Sequence, residues 1–212
     1  MIYKKAASIL ATPLTHIINI SIEKRQFPEC WKQSIIVPVP KSHPPSKEEL
    51  RPISLLPTPS KICERLILNS GLSSGFRDSF GDLQFGGLKL SSTTAALVCI
   101  HDFITAALDN RQIVGVAVLA YDFSKAFDHL GHDTIVSALQ ANNFPSGFVQ
   151  WVSSYLTNRS QIVKAYSISS QPLPVTSGVP QGSIFGPYFF NAVVGSLKPI
   201  HATTKIIKYI DD

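Results

Sequence analysis

Charge, cysteine and long apolar runs are all scarce in this chain, and each shortage excludes something. Only 16% of the 212 residues are charged, against 44% hydrophobic, where soluble domains average about 25% charged. That balance excludes a disordered polyelectrolyte and predicts a folded chain that keeps apolar surface after its core is filled. The three cysteines, Cys30, Cys63 and Cys99, are odd in number and far apart. This excludes a disulfide framework and the short-spaced pairs of zinc sites; buried, reduced thiols are expected, which suits a reducing compartment. The longest apolar run, Ile113 to Tyr121, falls well short of the ~20 residues that cross a bilayer. Lys4 and Lys5 precede mixed residues rather than the compact apolar block of a secretory signal, so no membrane partner is expected. The charges that are present sum to +5, a mild basic bias that suits a phosphate-bearing partner.

Hydrophobic spacing then divides the chain. Leu10, Leu14, Ile17 and Ile18 predict an amphipathic helix over Ala6–Glu23, closed by Pro28. Ser34–Val37 reads as a short buried strand, and Pro38–Pro52, rich in Pro and Ser, as an exposed loop. A helix is predicted from Pro59 to Asn69, stopped by Gly71. Another runs from a Ser92 or Thr93 cap to Asp109, with Ala95, Leu97, Ile100, Ile104 and Leu108 on its apolar side. The β-branched run Ile113–Tyr121 reads as a central strand buried on both faces and ending at Asp122. Further helices are expected at Asp133–Ala141, Gly147–Thr157 and Gly182–Leu197. A hairpin is expected at Gln161–Ser167 and Leu173–Thr176, and a last strand at Thr204–Ile210. Alternating strands and helices make the class α/β or α+β.

Two acidic sites end predicted strands: Asp122 and the pair Asp211-Asp212. If those strands are neighbours, three carboxylates meet at one sheet edge. Such a cluster repels itself unless hard cations such as Mg²⁺ neutralise it. On the carboxylates alone the plainer alternative stands, with Asp122 as a helix cap and the pair as solvated acids.

The surrounding residues carry a resemblance. Tyr121-Asp-Phe-Ser-Lys-Ala-Phe-Asp128, then Ser177-Gly-Val-Pro-Gln-Gly-Ser183 with Phe190-Asn191, then Tyr209-Ile-Asp-Asp212 follow in order. Upstream stand Phe27-Pro-Glu-Cys-Trp31, Val37-Pro-Val-Pro-Lys41, Arg51-Pro-Ile-Ser-Leu-Leu-Pro57 and Lys61-Ile-Cys-Glu64-Arg65; Trp151-Val-Ser-Ser-Tyr-Leu-Thr-Asn-Arg159 lies between. In these blocks the chain resembles the reverse transcriptase domain of LINE-type (non-LTR) retrotransposons over nearly its whole length. The resemblance implies the fingers (about residues 1–110) and ferredoxin-like palm (about 111–212) of a right-hand polymerase. It implies RNA-templated DNA synthesis from a DNA primer and deoxynucleoside triphosphates, inside the cell. Asp122, Asp211 and Asp212 would be the catalytic, metal-binding residues, holding two Mg²⁺ ions, with Mn²⁺ as the alternative. Phe123 and Phe127 would border the nucleotide, Phe127 lying under the sugar and excluding a ribose 2′-hydroxyl; read from the residues alone, Phe127 is a core phenylalanine. Pro180, Gln181 and Gly182 would form the loop beside the nucleotide and template base, with Gly178 and Gly182 supplying unusual dihedrals. Lys41 and Arg51 are the candidate cations near the triphosphate, or otherwise ordinary solvated loop charges.

Gln84–Thr93 stands where the family places a basic block that grips nucleic acid, and here only Lys89 is cationic. With Asp212 last, the return strand, primer grip and thumb lie outside these residues, as does an endonuclease. A catalytically inactive remnant that at most binds nucleic acid is therefore the alternative reading. Binding to RNA or DNA is expected to be weak, sequence-independent and steeply salt-dependent. Changing Arg51 to Ala is expected to weaken it and flatten the log–log salt slope by about one unit, read from titrations at several salt concentrations.

Overall fold

A computed structural model describes residues 5–40, 50–81, 83–88 and 91–210. The first helix, α1 (Ala7–Glu23), buries Ile18 and Ser21 on one stripe. A short 3₁₀ turn at Glu29–Trp31 leads into β1 (Gln33–Pro40), which turns back as β2 (Leu50–Leu55). The two pair antiparallel, with Val39 opposite Arg51. Helix α2 (Thr58–Ile67) begins with Pro59 in its first turn, where no N–H is needed. It buries Ser60, Cys63, Glu64 and Ile67, the i, i+3, i+4, i+7 stripe of a helix laid on a core. Gly71 (φ 106°) then breaks the helical path before α3 (Ser73–Ser79).

After α4 (Thr93–Leu108) come the short α5 (Ala126–His129), α6 (His132–Ala141) and α7 (Ser146–Leu156). Strands β3 (Arg159–Ala165), β4 (Ile168–Ser169) and β5 (Leu173–Val175) follow, then α8 (Phe185–Val194). The sheet order is β2-β1-β3-β4, with β5 also pairing β3. Because β1 and β3 pair in parallel, one sheet joins residues from both sides of the expected boundary near residue 110.

The core is aromatic. Phe185 stacks on Phe189 at 5.1 Å, Phe27 meets Tyr155 edge-on at 4.9 Å, and Phe76 lies 4.6 Å from Phe144. Such pairs add to the area they bury. The one polar edge of Trp151 is satisfied, its Nε1 donating to Ser21 Oγ at 2.9 Å. None of the described helices is long and apolar enough to cross a membrane.

The mixed α/β class is as expected, as are α1, α2, α6, α7 and the β3–β5 pairing. Ser92 caps α4 by accepting from the Ala95 amide at 3.1 Å. Several expectations need correction. Pro38–Pro40 and Leu50–Pro52 are strand rather than loop; residues 41–49 lie outside the described set. β1 is buried on alternate residues, Ile36 inward and Ile35 outward, because its sheet has one solvated face. Helix α8 starts three residues after Gly182, since Pro180–Ser183 is a turn. Helix α4 buries only Ala96.

The largest correction concerns Ile113–Tyr121, which is irregular and largely exposed, Val114 and Tyr121 most of all. A strand requires a hydrogen-bonding neighbour, and the expected one, Thr204–Ile210, spends its backbone groups elsewhere. Among the described residues, only Lys208 within it makes a ladder contact, bridging in parallel to Gln84.

Of the cysteines only Cys63 is buried, while Cys30 is exposed. Burial, reinforced by the neighbouring Glu64 carboxylate, pushes the Cys63 thiol up to about 12. In a mildly alkaline buffer a thiol reagent is expected to label Cys30 in the folded chain and Cys63 only after denaturation, read by peptide mass spectrometry.

Candidate active site

The turn after β5 is where the separate parts of the chain meet. Gly178 donates its amide to Leu130 O at 2.8 Å, and Val179 donates to Phe127 O at 2.8 Å. Gly178 (φ 81°) has no room for a side chain: a Cβ would lie 2.7 Å from the carbonyl oxygens of both Phe127 and Asp128. Ser177 Oγ donates to Asp128 O at 3.2 Å, and a ring nitrogen of His132 bonds to Gly178 O at 3.0 Å. The segment carrying Phe127 is thereby laid against the segment carrying Gln181.

Gln181 is fixed at both ends. Its Nε2 donates to Asp128 Oδ1 at 3.0 Å, and its backbone carbonyl accepts from the Ser54 amide of β2 at 2.8 Å. A carboxylate only accepts, so this contact sets which way the amide faces. Gln181 and Pro180 line a cavity of about 390 Å³ together with Ser34, Ser54, Asp128 and Arg159. Gly182 (φ 120°) is exposed beside them.

Underneath lies Glu64, wholly buried. Its carboxylate accepts from the Ile184 amide at 2.7 Å, the Phe185 amide at 3.2 Å and Ser60 Oγ at 3.1 Å. It thus caps α8 from a different helix, serving N–H groups that no intrahelical carbonyl reaches. Burial raises the Glu64 pKa, and the Ile184, Phe185 and Ser60 donors and the Arg159 charge oppose that rise. Arg159 is itself buried, its guanidinium 4.8 Å over the Tyr155 ring.

The other expected site residues divide. Phe127 is half-buried, 5.5 Å from Phe190; Phe123 is more exposed and meets the same ring edge-on at 5.8 Å. Arg51 is exposed on β2. Asp122 is exposed on the irregular segment, without a Lys or Arg partner among the described residues. Lys41, Asp211 and Asp212 lie outside the described residues. Among those described, no three His, Cys, Asp or Glu side chains come together as a metal site. The structure thus brings together Phe127, Pro180, Gln181 and Gly182 through Asp128, a residue given no role from the sequence. Glu64 was also without a role, although its place on the apolar stripe of α2 was the available signal.

A family model described as reverse transcriptase (RNA-dependent DNA polymerase) matches residues 39–212, and the chain belongs to that family. It is 32% identical over 189 residues to the probable RNA-directed DNA polymerase from transposon BS of Drosophila melanogaster, covering 87% of this chain and 20% of that protein. It is 32% identical over 191 residues to the RNA-directed DNA polymerase from mobile element jockey of the same species, covering 89% and 20%. A retrovirus-related Pol polyprotein from the type-2 retrotransposable element R2DM matches at 26% over 200 residues, covering 92% and 18%. These relatives belong to non-LTR retrotransposons, and the chain spans about a fifth of their length. Members of this family generally use divalent metal ions.

The Glu64 cap is open to test. Glu64→Leu strands the Ile184 and Phe185 amides in the core, whereas Glu64→Gln keeps an accepting oxygen. The leucine variant is expected to be less stable than the glutamine variant by about 1–3 kcal/mol, read from urea unfolding.

Proposed function

We propose that this chain carries the fingers (about 1–110) and palm (about 111–212) elements of an RNA-templated DNA polymerase. In the reaction a primer 3′-hydroxyl attacks the α-phosphate of a deoxynucleoside triphosphate, the new phosphodiester forms, and pyrophosphate leaves. The observation that carries this reading is Gln181, held between Asp128 and Ser54 in the lining of a cavity of mixed polar and apolar character. A side chain locked in one orientation is suited to reading a bound group rather than filling space.

Each residue then has a task. Phe127, braced by Phe190, would lie under the sugar and exclude a 2′-hydroxyl, while Phe123 borders the same space. Pro180 and Gly182 hold the turn that presents Gln181. Arg51, exposed on β2, and Lys41 would meet the triphosphate, Arg51 through paired N–H donors. Asp122, Asp211 and Asp212 would hold two Mg²⁺ ions, or Mn²⁺ in their place. Asp122 fits in kind, as a solvent-facing hard-oxygen donor not already paired with a cation among the described residues. Such ions, when bound, activate the attacking hydroxyl and stabilise the leaving oxygen. The RNA template and DNA primer are the macromolecular partners, and the longer relatives supply regions outside these residues.

Single-nucleotide extension of a DNA primer on an RNA template, with Mg²⁺ or Mn²⁺, tests the reading against Asp122→Asn. Incorporation is expected to be slow, because the segment holding Asp122 is not packed and loosely held ligands lose geometry. It is expected to disappear in the variant. Equal background in both would overturn the assignment.

A further inference from the structure

The contact that orients Gln181 also decides what that side chain is able to read. Asp128 and Gln181 are 53 residues apart in the chain, and their main chains are locked before their side chains meet. The Asp128 amide donates to Lys125 O at 2.9 Å, closing the turn of α5, and Asp128 O accepts from Ser177 Oγ at 3.2 Å. A Cβ on Gly178 would lie 2.9 Å from the Asp128 Cα, so the two segments approach as closely as a glycine allows. On the far side the Gln181 carbonyl is taken by the Ser54 amide, and the Ser183 amide closes the turn onto Pro180 O at 2.9 Å. With both backbones held, the Asp128 carboxylate stands as a fixed neighbour of the Gln181 amide.

A glutamine amide has a donor end and an acceptor end of nearly the same shape, and its neighbours decide which faces where. A carboxylate accepts and does not donate, so Asp128 Oδ1 takes the Nε2 end, at 3.0 Å. The Oε1 end meets no donor among the described residues. Gln181 is half-buried in the lining of the cavity of about 390 Å³. A carbonyl oxygen partly withdrawn from water and left without a donor suits a ligand that brings one. Since that oxygen only accepts, the group it meets carries an O–H or N–H. A phosphate oxygen is another acceptor and makes no hydrogen bond there.

We propose that Asp128 is a positioning residue that turns the carbonyl end of Gln181 toward the nucleotide, so that this side chain recognises a hydrogen-bond donor of the sugar or base and not the phosphates. This rests on Gln181 bordering the nucleotide, as read above. The alternative is that Asp128 merely ties α5 to the Gln181 turn, and the two differ in which part of the nucleotide loses affinity.

The test is single-nucleotide incorporation by the 212-residue chain, read as KM and kcat for a deoxynucleoside triphosphate. Inhibition by inorganic tripolyphosphate at fixed free Mg²⁺ and unfolding midpoints are measured on the same samples. Asp128→Asn keeps the size and the main-chain contacts, but offers a donor as well as an acceptor, so either end of Gln181 can face it. It is expected to raise KM about three- to tenfold, the scale of one hydrogen bond, with kcat little changed and tripolyphosphate inhibition unchanged. Gln181→Ala is expected to raise KM at least as much. Adding Asp128→Asn to it should cost nothing further, because one residue acts through the other. If Asp128→Asn does not fold, Asp128→Ala, which removes the partner outright, carries the test in the same direction. Losses that multiply in the double variant, or nucleotide and tripolyphosphate weakening in parallel, would overturn the positioning role. If Gln181→Ala raises KM and the Asp128 variant does not, that role is overturned and the reading of Gln181 survives. If the wild-type chain incorporates nothing, or Gln181→Ala leaves KM unchanged, the reading of Gln181 fails and this inference falls with it.

Discussion

Everything near the candidate site depends on one buried carboxylate. Glu64 leaves α2 to meet the first amides of α8, so the helix behind the strand hairpin and the helix behind the Gln181 turn share a hydrogen-bonded contact in the core. A buried acid is unfavourable unless its oxygens are satisfied, and here three donors converge on it. The turn between Val179 and Ser183 is held between this contact below and the Ser54–Gln181 bond above. Moving Glu64 would shift the start of α8, and Phe189 and Phe190 with it, so Phe127 would lose the ring that braces it.

Much of the fold was legible from spacing. The stripes of α1, α2, α6 and α7 and the cap at Ser92 are local signals, set by residues within a turn or two of one another. What failed was nonlocal. An uncharged β-branched run such as Ile113–Tyr121 says that a segment suits a sheet, but not that a neighbour will pair with it. The helix α4 shows the same gap, since its apolar side is real but only partly covered: Ala96 is buried, while Ile100, Phe103 and Ile104 stay half-buried.

The site was legible as a family pattern and not as physics. Motif order named Gln181 and Phe127, yet Asp128, Glu64, Gln84 and Asn191 had only their places in the same blocks. Their work is to satisfy polar groups, backbone and side chain, of segments far away in the chain, and no window of sequence contains both partners. Gln84 is the clearest example: its block was read for missing cations, and its surviving amide turned out to reach Ile210.

The exposed run from Ile113 to Tyr121 also bears on how the molecule behaves in concentrated solution. Short, uncharged, β-prone segments are the units from which cross-β stacks assemble. Here Arg111 stands just before the run and Asp122 just after it, in the positions where gatekeeper charges interrupt stacking. The charge of Asp122 therefore opposes stacking of this segment as well as suiting any chemistry, and a substitution that removes it is expected to make the exposed run more prone to association.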